Sequence, residues 1–139
     1  MQKYYWDTSI WLDLFENRDE PNFPKGEYAT KLLNKIIKDN AKIIYSDLTI
    51  TELEEAGYSF SEIQERLSQI KPLLIFIESN DKEAGKAKDI ALKREIPRGD
   101  ALHAMLARNN HAKLITFDNH FKKLRDMTIP FTPREIISN

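Results

Sequence analysis

The chain has 139 residues, of which 41% are hydrophobic and 31% are charged. This composition favours a single globular domain over residues 1–139 and excludes a disordered chain, which would carry fewer apolar residues and a larger charge imbalance. The formal net charge of -1 argues against a strongly basic nucleic-acid-binding protein, and the lack of cysteine excludes disulfides and thiolate zinc sites.

The hydropathy pattern shows neither a secretory signal peptide nor a transmembrane segment. The N-terminal sequence MQKYYWDTSI has no long apolar stretch and no small-residue cleavage site. The longest apolar run, Leu73–Ile77, is far too short to span a bilayer. We therefore expect a soluble, cytoplasmic protein with no membrane partner.

The first part of the chain predicts a strand that turns into a helix at an acidic residue. Tyr4–Trp6 forms a short aromatic strand that stops at Asp7, and apolar residues at helical spacing follow as far as Phe15. Residues 16–26 combine charges with proline and glycine, which indicates a loop. A second helix should begin at about Glu27.

The same succession follows in the middle of the chain. Ile43–Tyr45 is a second strand, and Ser46 or Asp47 can cap the helix that carries Glu52. Gly57 should end or kink this helix.

Another amphipathic helix fits Ser61–Ile70, and a charged helix fits Asp81–Glu95. Between them, Leu73–Ile77 is apolar on both alternating faces, as expected of a parallel strand covered by helices on each side. We expect this strand in the centre of the sheet or close to it.

The last part of the chain completes the alternation. Pro97–Gly99 breaks the chain before a helix that begins at Asp100. A strand over Leu114–Phe117, a short helix over His120–Leu124 and a strand over Thr128–Phe131 follow. The predicted fold is an α/β, three-layer α/β/α sandwich with a mostly parallel sheet of about five strands.

Acidic residues fall where this class of fold binds ligands, beyond the carboxyl ends of the strands. Asp7 and Asp118 each follow a strand, Asp100 begins the preceding helix, and Glu52 lies in the helix after the second strand. Clustered carboxylates repel one another, and a divalent cation removes that conflict. Oxygen ligands without cysteine or paired histidine suit Mg²⁺ or Mn²⁺. Ions held in this way can support hydrolysis of a nucleic-acid backbone.

Short segments around these acids form an ordered pattern over nearly the whole chain. They are Asp7-Thr8-Ser9, the run LTITEL at Leu48–Leu53, GDALHA at Gly99–Ala104 and TFDNHF at Thr116–Phe121. The pattern resembles the PIN domain family, particularly the VapC-type ribonuclease toxins of bacterial and archaeal toxin-antitoxin pairs. One departure is His120, at a position where a charged residue is frequent in the family.

The resemblance implies both residue roles and partners. It implies that the metal-binding and catalytic carboxylates are those of Asp7, Glu52, Asp100 and Asp118. It implies that their hydroxyl partners are Thr8, Ser9 and Thr116. It also implies an RNA substrate cut to a 5′-phosphate and a 3′-hydroxyl, a homodimer, and inhibition by a small antitoxin protein.

Several of these residues also have a purely structural interpretation. Asp7 and Asp100 are typical helix N-caps. His103 is a conceivable ligand or acid, but we favour a histidine that packs against the sheet or supports a neighbouring group. Arg98 and Lys122 can contact RNA phosphates or simply face water.

The aromatic residues also leave two interpretations open. Trp6 and Trp11 can stack on bases, but their spacing favours packing in the core or a dimer interface. Tyr58 and Phe60 are candidates for a partner-binding surface.

Other functions compete with a metal-dependent endoribonuclease. A haloacid-dehalogenase-like phosphatase needs a second aspartate where Ser9 stands. A receiver-like phosphoacceptor needs paired acids after the first strand and a lysine beyond a late strand, where this chain has Asp118. The remaining alternative is a non-catalytic PIN-fold module that binds RNA or protein, and the complete acid set weighs against it.

Overall fold

Five short strands form one parallel sheet in a computed structural model that describes residues 1–138. The strands are β1 (Lys3–Trp6), β2 (Lys42–Ser46), β3 (Leu74–Ile77), β4 (Lys113–Ile115) and β5 (Pro130–Phe131). They lie in the order β3-β2-β1-β4-β5, and every neighbouring pair is parallel. The central strand β1 therefore lies next to β4, which brings the ends of these two strands together.

Helices cover both faces of the sheet. They are α1 (Thr8–Glu16), α2 (Lys25–Lys38), α3 (Asp47–Glu55), α4 (Phe60–Ser68), α5 (Asp81–Arg94), α6 (Arg98–Asn109) and α7 (Pro133–Ile137). Two short 3-10 helices span Lys71–Leu73 and Asn119–Leu124. The predicted three-layer α/β/α sandwich with a parallel sheet is confirmed.

Alternation along β1 divides the core into two layers. Tyr5 packs on the side of α5 and α6, whereas Tyr4 and Trp6 pack on the side of α1 and α2. The Trp6 and Trp11 rings lie 4.6 Å apart between centroids, and both side chains are fully buried. The prediction of core packing for these tryptophans is confirmed, and neither ring is available to stack on a base.

Local capping explains how α3 starts and ends. The Ser46 hydroxyl accepts a hydrogen bond from the backbone N–H of Thr49, and the Thr49 hydroxyl accepts one from the Ser46 N–H. After the helix, Gly57 adopts a φ of +108°, a value that favours glycine. Both predicted boundaries of this helix are confirmed.

The predicted position of Leu73–Ile77 in the sheet is wrong. β3 pairs with β2 at the edge of the sheet described for residues 1–138, and Phe76 is 47% exposed. An apolar pattern reports which faces of a strand are covered, but it does not report how many strands flank it. Phe76 packs instead on the ring of Tyr45, 5.1 Å away between centroids.

The last third of the chain differs from prediction at its element boundaries. Helix α6 begins at Arg98 rather than Asp100, so Asp100 lies in the first turn and Pro97 occupies the N-cap position. Strand β4 ends at Ile115, two residues earlier than expected. Helix α7 was not predicted; Thr132 caps it through a hydrogen bond from the Glu135 N–H.

None of the helices within residues 1–138 combines the length and the apolarity needed to cross a bilayer.

Candidate metal centre

The sheet brings Asp7 and Asp118 together beyond the carboxyl ends of its strands. Asp7 directly follows β1, and its backbone N–H donates a 3.0 Å hydrogen bond to the carbonyl of Ile115 at the end of β4. Because β1 and β4 are parallel neighbours, the residues that follow them leave the sheet side by side.

Hydroxyl groups hold the Asp7 carboxylate in place. Thr116 Oγ1 and Ser9 Oγ donate to Asp7 Oδ2 over 2.9 and 2.8 Å. Thr116 Oγ1 also accepts a 2.9 Å bond from the backbone N–H of Asp118, so this hydroxyl links the two acids. Asp7 occupies the N-cap position of α1, but its side chain makes no capping hydrogen bond. Its carboxylate is instead aligned by Ser9 and Thr116.

Asp100 and Asp118 lie close enough to bind one ion, together with His120. One ligand atom from each of these three residues lies within 4.8 Å of the other two. The side chain of Asp118 also accepts a 2.8 Å hydrogen bond from the backbone N–H of His120. Helix α6 supplies Asp100, while the 3-10 helix after Asp118 supplies His120.

The surroundings of Asp100 disfavour the charged form of its carboxyl group. Burial raises the pKa of its carboxyl group, and the negative charges of Asp118 and Asp7 raise it further, to about 6. A divalent cation would relieve this repulsion while using the oxygen-rich donors that Mg²⁺ and Mn²⁺ bind. The residues present therefore fit such an ion.

Glu52 approaches the same region from α3 but is held by other partners. Its Oε1 accepts a 2.6 Å hydrogen bond from Thr8 Oγ1 and another of 2.6 Å from His103 Nε2. Burial opposes the charge of Glu52, but the hydrogen bonds and charge of His103 and the Thr8 hydroxyl lower its pKa overall. Within residues 1–138, Glu52 Oε2 has no hydrogen-bond partner, and it borders Gly99.

A buried hydrogen-bond chain leads from Glu52 into the core. Tyr5 Oη lies 2.7 Å from His103 Nδ1 and 2.7 Å from Ser46 Oγ. His103 is 1% exposed; burial alone would lower its pKa, but the Glu52 hydrogen bond and the charges of Asp7, Glu52 and Asp100 raise it. His103 thus packs against the sheet and supports Glu52, the interpretation favoured from the sequence.

The remaining candidates lie around the rim. Arg98 and Lys122 are exposed, and Lys122 lines a small cleft beside Asp118. His120 was not selected as a site residue from the sequence, where it was noted only as a departure from the family pattern. The available signal was its position two residues after Asp118, at the start of a turn.

The comparison with protein families gives one match over most of the chain. The model described as "PIN domain" matches residues 4–127. No curated protein sequence matches this chain.

Several solved structures share the fold. A toxin-antitoxin complex from Klebsiella pneumoniae has 18% identity and a TM-score of 0.68, over 94% of this chain and 97% of that chain. VapBC2 from Rickettsia felis, solved with a DNA fragment from its promoter, has 19% identity and a TM-score of 0.69, over 94% and 98%. VapBC-1 from nontypeable Haemophilus influenzae has 18% identity and a TM-score of 0.67, over 96% and 99%. Likeness at these identities shows a common fold.

Proposed function

This chain belongs to the PIN domain family, and on that premise we propose that it is a metal-dependent endoribonuclease that hydrolyses RNA phosphodiester bonds. The observation that carries the proposal is the cluster of Asp100 and Asp118 beside Asp7, in which burial and the neighbouring negative charges raise the pKa of Asp100 to about 6. Asp7, Asp100 and Asp118 would hold Mg²⁺ or Mn²⁺, and Glu52 would be the fourth acid of the site.

Each acid has a different task in this proposal. A divalent cation supplies Lewis-acid activation of water and stabilises negative charge on phosphate oxygens. Ser9 and Thr116 orient Asp7, and Thr116 keeps Asp118 at a fixed distance from it.

Glu52 is suited to position or deprotonate the attacking water. Its Oε1 is held by Thr8 and His103, which leaves Oε2 to accept a hydrogen bond. Since its pKa is lowered, Glu52 is ionised at neutral pH and acts mainly by orienting the water. The family resemblance implies products with a 5′-phosphate and a 3′-hydroxyl.

We further propose that the protein is the toxin of a VapBC-type pair, forms a homodimer and binds a small antitoxin. The toxin and antitoxin parts of this proposal are supported by the match to toxin-antitoxin complexes over 94% or more of this chain. We propose that two exposed basic side chains, Arg98 and Lys122, contact RNA phosphates.

The direct test is incubation of the purified protein with total RNA, with Mn²⁺ or with excess EDTA, followed by mapping of the cut ends. We expect discrete cuts with 5′-phosphate ends in Mn²⁺ and none in EDTA. Circular dichroism in EDTA should show that the protein stays folded. Cleavage that persists in EDTA would contradict metal dependence, and no cleavage with bound Mn²⁺ would leave a non-catalytic binding module.

A further inference from the structure

The imidazole of His120 lies close to two of the acids, Asp100 and Asp118. Its Nδ1 is 3.2 Å from Asp100 Oδ2 and 3.3 Å from Asp118 Oδ1. The side chain is 53% exposed, so solvent and ions can reach it. No other group of three acidic or histidine side chains within residues 1–138 has ligand atoms this close together.

A backbone hydrogen bond holds the main chain of His120 beside Asp118. Asp118 caps the 3-10 helix Asn119–Leu124 by accepting the N–H of His120. This bond uses the main chain of His120 and leaves both ring nitrogens free of the cap. The ring therefore projects from the first turn beside Asp118 and reaches Asp100 on α6.

We propose that His120 donates a ring nitrogen to the cation of this site and thereby makes it prefer Mn²⁺ over Mg²⁺. The inference rests on the proposed metal-dependent function and adds a ligand to it. Mg²⁺ favours an all-oxygen octahedral environment, whereas imidazole suits the transition metals, whose affinity for nitrogen ligands rises along the first row. The two carboxylates alone would bind both ions. The ring nitrogen of His120 therefore adds the preference for Mn²⁺.

The replacement His120→Asn isolates this element because it exchanges a nitrogen ligand for an amide that offers oxygen. His111→Asn is the matched control: His111 is exposed, precedes β4 at the opposite end of the strand from Asp118, and has a positive φ of 53° that asparagine tolerates. Thermal melting of both variants would check that they remain folded.

Calorimetric titration of each protein with Mn²⁺ and with Mg²⁺ gives the ratio of the two dissociation constants. We expect His120→Asn to weaken Mn²⁺ binding by at least about 10-fold, the loss that removal of even an outer partner of a ligand produces. Mg²⁺ binding should change much less, and His111→Asn should change neither. Pulsed electron paramagnetic resonance of the Mn²⁺ complex should show nitrogen modulation in the wild type that His120→Asn removes.

The outcomes separate this inference from the function on which it rests. Mn²⁺ binding with an unchanged ratio and no nitrogen modulation would show that His120 leaves the acids when the ion binds, and would overturn the inference while the metal site stands. If wild-type protein bound neither ion, the proposed function would fall together with the inference.

Discussion

Asp100 is placed where its own charge opposes folding. Its carboxyl group is partly buried in the first turn of α6, close to Asp118 and Asp7, and its pKa is raised to about 6. Folding thus favours the neutral form. Stability contributed by this group is fully present below the ordinary pKa of 3.8 and is lost as the pH rises through about 6.

The isosteric variant Asp100→Asn should therefore stabilise the metal-free protein at neutral pH. We expect a gain of about 1 kcal/mol after allowance for solvent screening, or roughly 3 °C in melting temperature. The gain should disappear as the pH falls from about 6 to 3.8, since Asp100 then becomes neutral in both states. Melting scans across this range, with the exposed Asp89→Asn as control, would measure it.

The Asp100→Asn variant should also lose tight Mn²⁺ binding, because the Asp100 carboxylate is one of the proposed metal ligands. A variant that was destabilised at neutral pH and still bound Mn²⁺ normally would contradict this description of Asp100.

Thr116 offers a second test at the scale of a single hydroxyl. Thr116→Val removes the bond to Asp7 Oδ2 and the acceptor of the Asp118 N–H, and the site is buried. Urea denaturation should show a loss of about 1–3 kcal/mol, the cost of leaving buried polar groups unpaired. Thr116→Ser keeps the hydroxyl, so most of the stability and Mn²⁺ affinity should return. Equal losses in both variants would show that the methyl group contributes as much as the hydroxyl, which would contradict a special role for the hydroxyl.

At the scale of elements, the close contact between α6 and α3 depends on Gly99. A Cβ at Gly99 would lie 2.7 Å from Glu52 Oε2, whereas a Cβ at Gly85 in α5 would meet nothing within 4 Å. The first turn of α6 therefore approaches the Glu52 carboxylate so closely that a side chain there would displace it. Since Oε1 is held by Thr8 and His103, the carboxylate cannot move away freely.

The pair Gly99→Ala and Gly85→Ala separates this contact from helix propensity. Gly85→Ala should stabilise the protein by about 0.5–1 kcal/mol, because alanine is the better helix former. Gly99→Ala should lose that gain and slow RNA cleavage, while Gly85→Ala leaves the rate unchanged. Denaturant titration and cleavage assays would measure the two effects; equal behaviour of the variants would rule out a special role for Gly99.

Elements were predictable from the sequence where local patterns determine them. The aromatic strand before Asp7 and the Ser46 cap of α3 depend on neighbouring residues, and both occur as expected. The edge position of β3 and the start of α6 at Arg98 depend on the surrounding fold. Local sequence carries no direct signal for either feature.

The same distinction applies to the site. Asp7 and Asp118 could be placed at one sheet edge because each follows a strand. The contact between Tyr5 and His103 joins residues 98 positions apart, and the contact of His120 with Asp100 crosses from one element to another. Such pairs become visible only when the helices are packed.

At the scale of the whole molecule, a net charge of -1 must be reconciled with the proposed RNA substrate. Non-specific binding of RNA normally requires an excess of basic residues to neutralise phosphates. In the proposed function, bound cations supply positive charge at the acidic edge, and Arg98 and Lys122 add to it at the rim. RNA binding should therefore depend on divalent ions as well as on ionic strength.

The cleavage rate of variants that lack one of two proposed aspartate ligands, Asp7 or Asp118, tests the central claim most directly. The experiment compares wild-type protein with Asp7→Asn and Asp118→Asn in saturating Mn²⁺, with Asp89→Asn as the exposed control and equal folded fractions confirmed by circular dichroism. We expect both site variants to lose at least about 100-fold in rate, because loss of metal-ion stabilisation worth several kcal/mol has that effect. Asp89→Asn should cleave as the wild type does. Folded Asp7→Asn and Asp118→Asn proteins that cleave RNA at the wild-type rate would contradict the account.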